Sequence, residues 1–207
     1  MTSARTILIW TALAAATAVP ISAAAASPLL AWRAPIYIAA GFAGIVGLAL
    51  LLVQPLLIGG YLPGPSAYRA RRMHRWVGGL LVAAVAIHVG ALWITSPQDV
   101  IDVFLFQSPT PFSVWGLIGM GAIFAAALSA ALRDRLRLRP RTWRISHACL
   151  AVVVVAGSVV HTILIEGTME VISKAALCGL VLTATTKVIA DLRIWPARAP
   201  HGPVRGP

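Results

Sequence analysis

Four histidines stand in two apolar segments at one spacing: His74 and His88 in the first, His147 and His161 in the second. Both gaps are fourteen residues, about 21 Å of rise on an α-helix, and the turn of about 100° per residue brings the second ring within roughly 40° of the first. Each helix therefore presents one imidazole near either end, on much the same face. Two such helices side by side make two stacked bis-histidine sites. Neutral imidazoles on opposite sides of an iron suit a b-type haem, and with both axial positions filled the iron is suited to electron transfer. His74, His147, His88 and His161 are thus the candidate axial ligands of two haems b. A tetrahedral zinc site needs its ligands around one ion, and the rise between the rings keeps all four histidines from meeting at one metal. The two isolated pairs lack a carboxylate or thiolate at matching depth.

The elements that hold these histidines are membrane spans. The chain of 207 residues is 59% hydrophobic and 11% charged, with a mean hydropathy of +0.86. A hydrocarbon core of about 30 Å takes about 20 apolar residues per helix. Six stretches qualify, over roughly 6–26, 35–58, 74–95, 112–132, 145–165 and 169–191. The fold class expected is an all-α integral membrane protein, a six-transmembrane-helix bundle. Three parts follow: 1–34, a first helix (or uncleaved signal anchor) with an outer loop; 35–192, the histidine-bearing bundle; and 193–207, a basic proline-rich tail.

Net charge is +11, yet its distribution argues for topology and against nucleic acid. Arg69, Arg71, Arg72 and Arg75 precede the third segment, and Arg133, Arg135, Arg137, Arg139, Arg141 and Arg144 precede the fifth. The intervening loops carry Asp99 and Asp102, then Glu166 and Glu170. The positive-inside rule places both termini and both arginine-rich loops in the cytoplasm; Arg5, Arg193, Arg198 and Arg205 agree, and Arg33 alone is on the other side. The third and fifth segments then run parallel, which pairs His74 with His147 inside and His88 with His161 outside.

Met1–Arg5 resembles the n-region of a signal peptide and Ser22–Ser27 offers small residues for cleavage, but the apolar stretch exceeds the usual h-region of roughly 7–15 residues. An uncleaved first helix bent at Pro20 is expected. Cys149 and Cys178 lie in predicted helices with no CxxC spacing and read as small hydrophobes. Gly41, Gly44 and Gly47, and in the fourth segment Gly116, Gly119, Gly121 and Ala125, form small-residue stripes that allow close helix approach. Gln54 reads first as a polar residue satisfied within the bundle, with contact to a cofactor as the other reading. Gly78, Gly79, Gly90 and Gly157 offer room for a porphyrin. Arg71, Arg72, Arg75, Arg141 and Arg144 inside, and Lys174 outside, are cations for its propionates. Val100–Phe106 is too short to span and lies along the outer interface as a short helix or turn. Lys187 and Asp191, one turn apart, are placed to pair. His201 in the tail has no helical context and is assigned no role.

The stretch Arg71-Arg72-Met73-His74-Arg75-Trp76-Val77-Gly78, continuing to His88, resembles the ferric reductase-like transmembrane family, as does Trp143-Arg144-Ile145-Ser146-His147, continuing to His161. That family includes the membrane portions of ferric reductases and NADPH oxidases, and the small haem-binding membrane subunit of the bacterial periplasmic methionine sulfoxide reductase system. The resemblance spans roughly 35–190. It implies that His74 and His147 hold an inner haem and His88 and His161 an outer one, in the inner (plasma) membrane. One departure bears on the electron source. Ferric reductases and NADPH oxidases carry a flavin and nicotinamide domain after the last helix, whereas here about sixteen residues follow Asp191, without a glycine-rich phosphate loop. The expectation is an oxidoreductase electron-transfer subunit that needs a partner for substrate chemistry. Its electrons come from a cytoplasmic flavin reductase, from FMN or FAD at the cytoplasmic face, or from quinol, and pass to an outer-side acceptor protein or metal. The other readings are a transporter or proton relay built on the same histidines, which usually wants mid-membrane acids or a broken helix, and a cofactor-free scaffold. Neither explains the matched gaps.

Overall fold

In lipid each backbone N–H and C=O must find its partner inside the protein, so a chain of apolar segments has helices as its open choice. The computed structural model describes residues 3–192 and contains seven α-helices: α1 (Ser3–Ala25), α2 (Pro35–Ile58), α3 (Ala67–Thr95), α4 (Pro97–Phe104), α5 (Pro111–Ala131), α6 (Pro140–Leu164) and α7 (Val171–Asp191). All but the short α4 are long and apolar enough to cross a membrane, six spans in all. The chain is a multi-pass membrane protein. The basic tail expected over 193–207, with His201, lies outside the described residues.

Local chemistry sets the helix starts. Proline opens α2, α4, α5 and α6, where its missing N–H costs nothing and its fixed φ already suits a helix. Ser66 caps α3 by accepting the Arg69 N–H. Glu170 caps α7, its carboxylate accepting the Ile172 and Ser173 N–H groups at 2.7 Å each, and these bonds hold its carboxyl below the usual range. The starts correct two expected boundaries. Helix α3 begins seven residues before His74, and α6 begins at Pro140 rather than 145. Arg69, Arg71, Arg72, Arg75, Arg141 and Arg144 therefore ride on helical turns instead of loops. Charge marks where the hydrocarbon ends, not where the helix ends, since long side chains keep their heads in water from a helical backbone. Pro20 lies inside α1 without ending it.

The spans pack as two antiparallel hairpins, α2 with α3 and α5 with α6. Helix α7 packs on both α2 and α6 and joins them, and α1 lies against α2 and α7. The shared core is Leu48, Leu51 and Leu52 of α2, Leu81 of α3, Ala122 and Ile123 of α5, Val154, Val155 and Val159 of α6, and Leu177, Cys178 and Val181 of α7. Cys178 is thus a core residue, whereas Cys149 is exposed. Helix α4 is a short helix that buries Val100 and exposes Phe104, with Leu105 and Phe106 exposed just beyond it. Lys187 pairs with Asp191 at 2.7 Å, and the Tyr61 hydroxyl donates to the same carboxylate. That bond raises the Tyr61 pKa above its ordinary value and ties the α2–α3 turn to the end of α7.

Among the described residues, the tightest backbone approach at a glycine lies between α5 and α6. A Cβ on Gly157 would stand 2.9 Å from both the Gly119 nitrogen and the Trp115 carbonyl oxygen. Gly157 therefore serves helix packing, a correction to its expected role as space for a porphyrin. Gly157→Ala forces backbone against backbone, and overpacking of this kind costs about 1–3 kcal/mol. Its melting temperature in detergent is expected to fall well below wild type. Gly121→Ala, where nothing lies within 4 Å, should melt with the wild type; equal melting of both variants would contradict this packing.

Candidate functional site

The histidine-bearing helices α3 and α6 are not among the pairs in extensive backbone contact; they meet through their imidazoles. The rings of His74 and His147 stand 6.2 Å apart centre to centre with planes crossing at 75°. Those of His88 and His161 stand 6.4 Å apart, crossing at 83°. The structure thus brings together the two pairs anticipated from parallel helices, one at the arginine-bearing end of the bundle and one at the opposite end. Among the described residues no group of three or more His, Cys, Asp or Glu is placed to hold one metal ion.

Each hairpin supplies the support for its own far-end histidine. His88 Nδ1 lies 2.7 Å from the Ala40 carbonyl of α2, and His161 Nδ1 lies 2.9 Å from the Phe112 carbonyl of α5. Four residues beyond each carbonyl, one helical turn, sits a glycine under the ring. A Cβ on Gly44 would be 3.2 Å from His88 Nδ1, and one on Gly116 would be 2.7 Å from His161 Nδ1. The glycine lets the imidazole reach down to a carbonyl already within the helix ladder, whose oxygen has a second lone pair. An Nδ1–H bonded in this way fixes the tautomer and leaves Nε2 with its lone pair free.

The basic-end pair is held differently. His74 Nδ1 lies 3.4 Å from the Gln54 carbonyl of α2. His147 Nδ1 is buried with no hydrogen-bond partner; its ring stacks on Trp143 at 4.9 Å with planes 29° apart. The exposed Arg133 guanidinium sits 5.6 Å from the centre of the Trp143 ring. Trp143 thus links the surface to the basic-end pair.

The remaining candidates divide. Gly79 and Gly90 have nothing within 4 Å of a built Cβ, whereas Gly78 faces the Gln54 amide at 3.2 Å. Arg71, Arg72, Arg75, Arg141 and Arg144 are exposed at the basic end. Lys174 is buried, donating to the Ile165 carbonyl at 3.0 Å, a role in fastening α7 to the end of α6. Sequence reasoning assigned Gly44 and Gly116 to helix packing and missed the carbonyls they expose. A signal was present: Gly44-x-x-Gly47 and Gly116-x-x-Gly119 open 44 and 45 residues before His88 and His161 (88 − 44 and 161 − 116).

Residues 40–158 match the model of the family described as ferric reductase like transmembrane component, more than half of the chain. The match opens at Ala40, whose carbonyl meets His88, takes in His74, His88 and His147, and stops just short of His161. Comparison with curated proteins and with solved structures gives no significant match. The chain belongs to the ferric reductase-like transmembrane family.

Proposed function

We propose that this protein moves electrons across a membrane through two bis-histidine haems b, the inner on His74 and His147 and the outer on His88 and His161. The observation that carries this reading is the separation of the rings. With a metal–nitrogen bond of about 2.0 Å and about 1.2 Å from nitrogen to ring centre, two imidazoles held by one iron would stand about 6.4 Å apart. The two pairs stand at 6.2 and 6.4 Å. The Nδ1 contacts of His88 and His161 to backbone carbonyls support the same reading, since they aim Nε2 away from the supporting helix.

When bound, each haem supplies a one-electron store whose iron has no position left for substrate. The protein's own part is to fix four imidazoles at two depths, exclude water with the apolar walls of α3 and α6, and offer a docking surface at each end. By the positive-inside rule the arginine-bearing end faces the cytoplasm of a cell whose inner (plasma) membrane holds the chain. Its exposed arginines suit an acidic donor protein, a flavoprotein carrying FMN or FAD, with quinol as the donor from within the membrane. Trp143 bridges that surface to His147. The outer end, with α4 beside it, meets the acceptor, a protein or a metal.

The purified chain is expected to carry two b haems, read by a dithionite-reduced minus oxidised spectrum and pyridine haemochrome; a chain expressed with ample haem and carrying none would sink the proposal. His88→Ala or His161→Ala should each remove about half of that absorbance while the protein still inserts. Gly116→Ala, whose methyl would press on His161 at 2.7 Å, should weaken the outer site more than Gly44→Ala, whose methyl stands at 3.2 Å from His88. Loss of such supporting contacts typically costs 10–100-fold in metal affinity; haem retention on dilution ranks the two variants, and the reverse order would refute the glycine seats. The crossed ring planes, 75° and 83°, lead us to expect strongly anisotropic low-spin ferric EPR signals from both sites, where parallel planes would give rhombic ones.

A further inference from the structure

We propose that Gln54 is a positioning residue of the inner pair, holding His74 through its side-chain amide and lowering the reduction potential of an iron bound there. The inference rests on the electron-transfer reading above. Gln54 lies in α2, within an apolar span where an unbonded amide is expensive. It is half-buried, and its side chain crosses to α3 between His74 and Gly78, one turn apart. Glycine at 78 leaves the space, since a Cβ there would stand 3.2 Å from the Gln54 amide nitrogen.

The amide has two settings, and both touch His74 Nδ1. With its NH2 toward the ring it donates to Nδ1 and to the His74 carbonyl, the latter at 3.2 Å, and its oxygen accepts the Gly78 N–H at 2.7 Å. That setting requires the proton on Nε2 and so belongs to an imidazole that binds no metal. A metal on Nε2 would put the proton on Nδ1, and the amide would then turn its oxygen to the ring, giving up its bonds to the His74 carbonyl and the Gly78 N–H. The Gln54 backbone carbonyl, 3.4 Å from Nδ1, is too distant to do this well alone. His74 thus gains by a side chain what His88 and His161 gain from carbonyls at 2.7 and 2.9 Å.

The second hairpin has no such device. Gln54 follows Ala40 by fourteen residues, and the residue fourteen beyond Phe112 is Ala126. His147 Nδ1 is accordingly left without a partner. Of the inner ligands, His74 is the one with a polar hold, and Gln54 supplies it. An acceptor opposite Nδ1–H makes the imidazole a stronger donor through Nε2 and so favours the oxidised iron.

Redox titration of the haem-loaded full chain, followed optically, tests this. The inner wave is identified as the one that survives in His88→Ala. Gln54→Met should raise the inner midpoint by about 59 mV, a tenfold change in the ratio of reduced to oxidised at fixed potential, and leave the outer wave in place. Gln54→Glu retains an acceptor and should keep the inner midpoint at or below wild type. Gly78→Ala crowds the amide from the other helix, forcing it to give by a few tenths of an ångström, so it tests the same contact should Gln54→Met fail to accumulate; it should move the inner wave upward. An unmoved inner wave, or equal shifts of both waves, overturns the role of Gln54 while leaving the two-haem reading intact. A wild-type chain without haem overturns that reading and this inference with it.

Discussion

Helices α3 and α6 have to face one another without closing, and the rest of the bundle follows from that constraint. Two apolar helices left to themselves pack at 8–10 Å with side chains interlocked, which would bury the imidazoles against a neighbouring helix. Each histidine helix instead spends its packing surface on another partner. Helix α2 packs along α3, α5 along α6, and α7 joins α2 to α6. The core residues Leu51, Val155 and Val181 belong to this outer framework. The faces of α3 and α6 that remain carry the rings, at 6.2 and 6.4 Å. A backbone approach as tight as that of Gly157 to Gly119 stiffens the second hairpin, so the distance between pairs is set by rigid parts.

The same economy appears in how the rings are aimed. A buried imidazole in lipid needs a partner for its N–H, yet acids are scarce in the spans. Carbonyls of the adjacent helix are abundant, and each has a lone pair beyond the one used in the ladder. Reaching it requires a gap in the side-chain layer, which Gly44 and Gly116 provide. The glycine stripes of α2 and α5 therefore do two jobs that sequence alone cannot separate.

Much of the architecture was legible because it is periodic or local. The fourteen-residue gap implies two rings on one face, alternating charge implies parallel helices, and together they imply the pairs that the structure brings face to face. Proline and serine at helix starts were visible too, but arginine-rich turns of α3 and α6 read as loop because hydropathy reports the membrane and not the backbone. The contacts of Ala40, Phe112 and Gln54 with histidines lie between helices, and their partners stand 20 to 49 residues away. No period links them. The orphaned His147 Nδ1 and the Trp143 stack are likewise products of packing, since nothing in the order of residues distinguishes Trp143 from an interfacial anchor.

The two pairs are unequal, and under the proposed function that inequality has a direction. Both outer imidazoles donate to carbonyls at short range, so the outer iron is the better stabilised in its oxidised form. The inner iron has one such ligand through Gln54 and one, His147, without a partner. An electron passing outward would then move to a site of lower intrinsic reduction potential, an uphill step. The membrane field offsets that cost. One charge crossing the whole membrane is worth about 2.3 kcal/mol per 100 mV, and a step of about 21 Å along the helices crosses some two-thirds of a core about 30 Å thick. With the inside negative, roughly 1.5 kcal/mol per 100 mV favours the outward step. A weaker donor set inside and a stronger one outside therefore suit a carrier that receives electrons readily, passes them down the field, and presents them on the far side at a lower intrinsic potential to the acceptor.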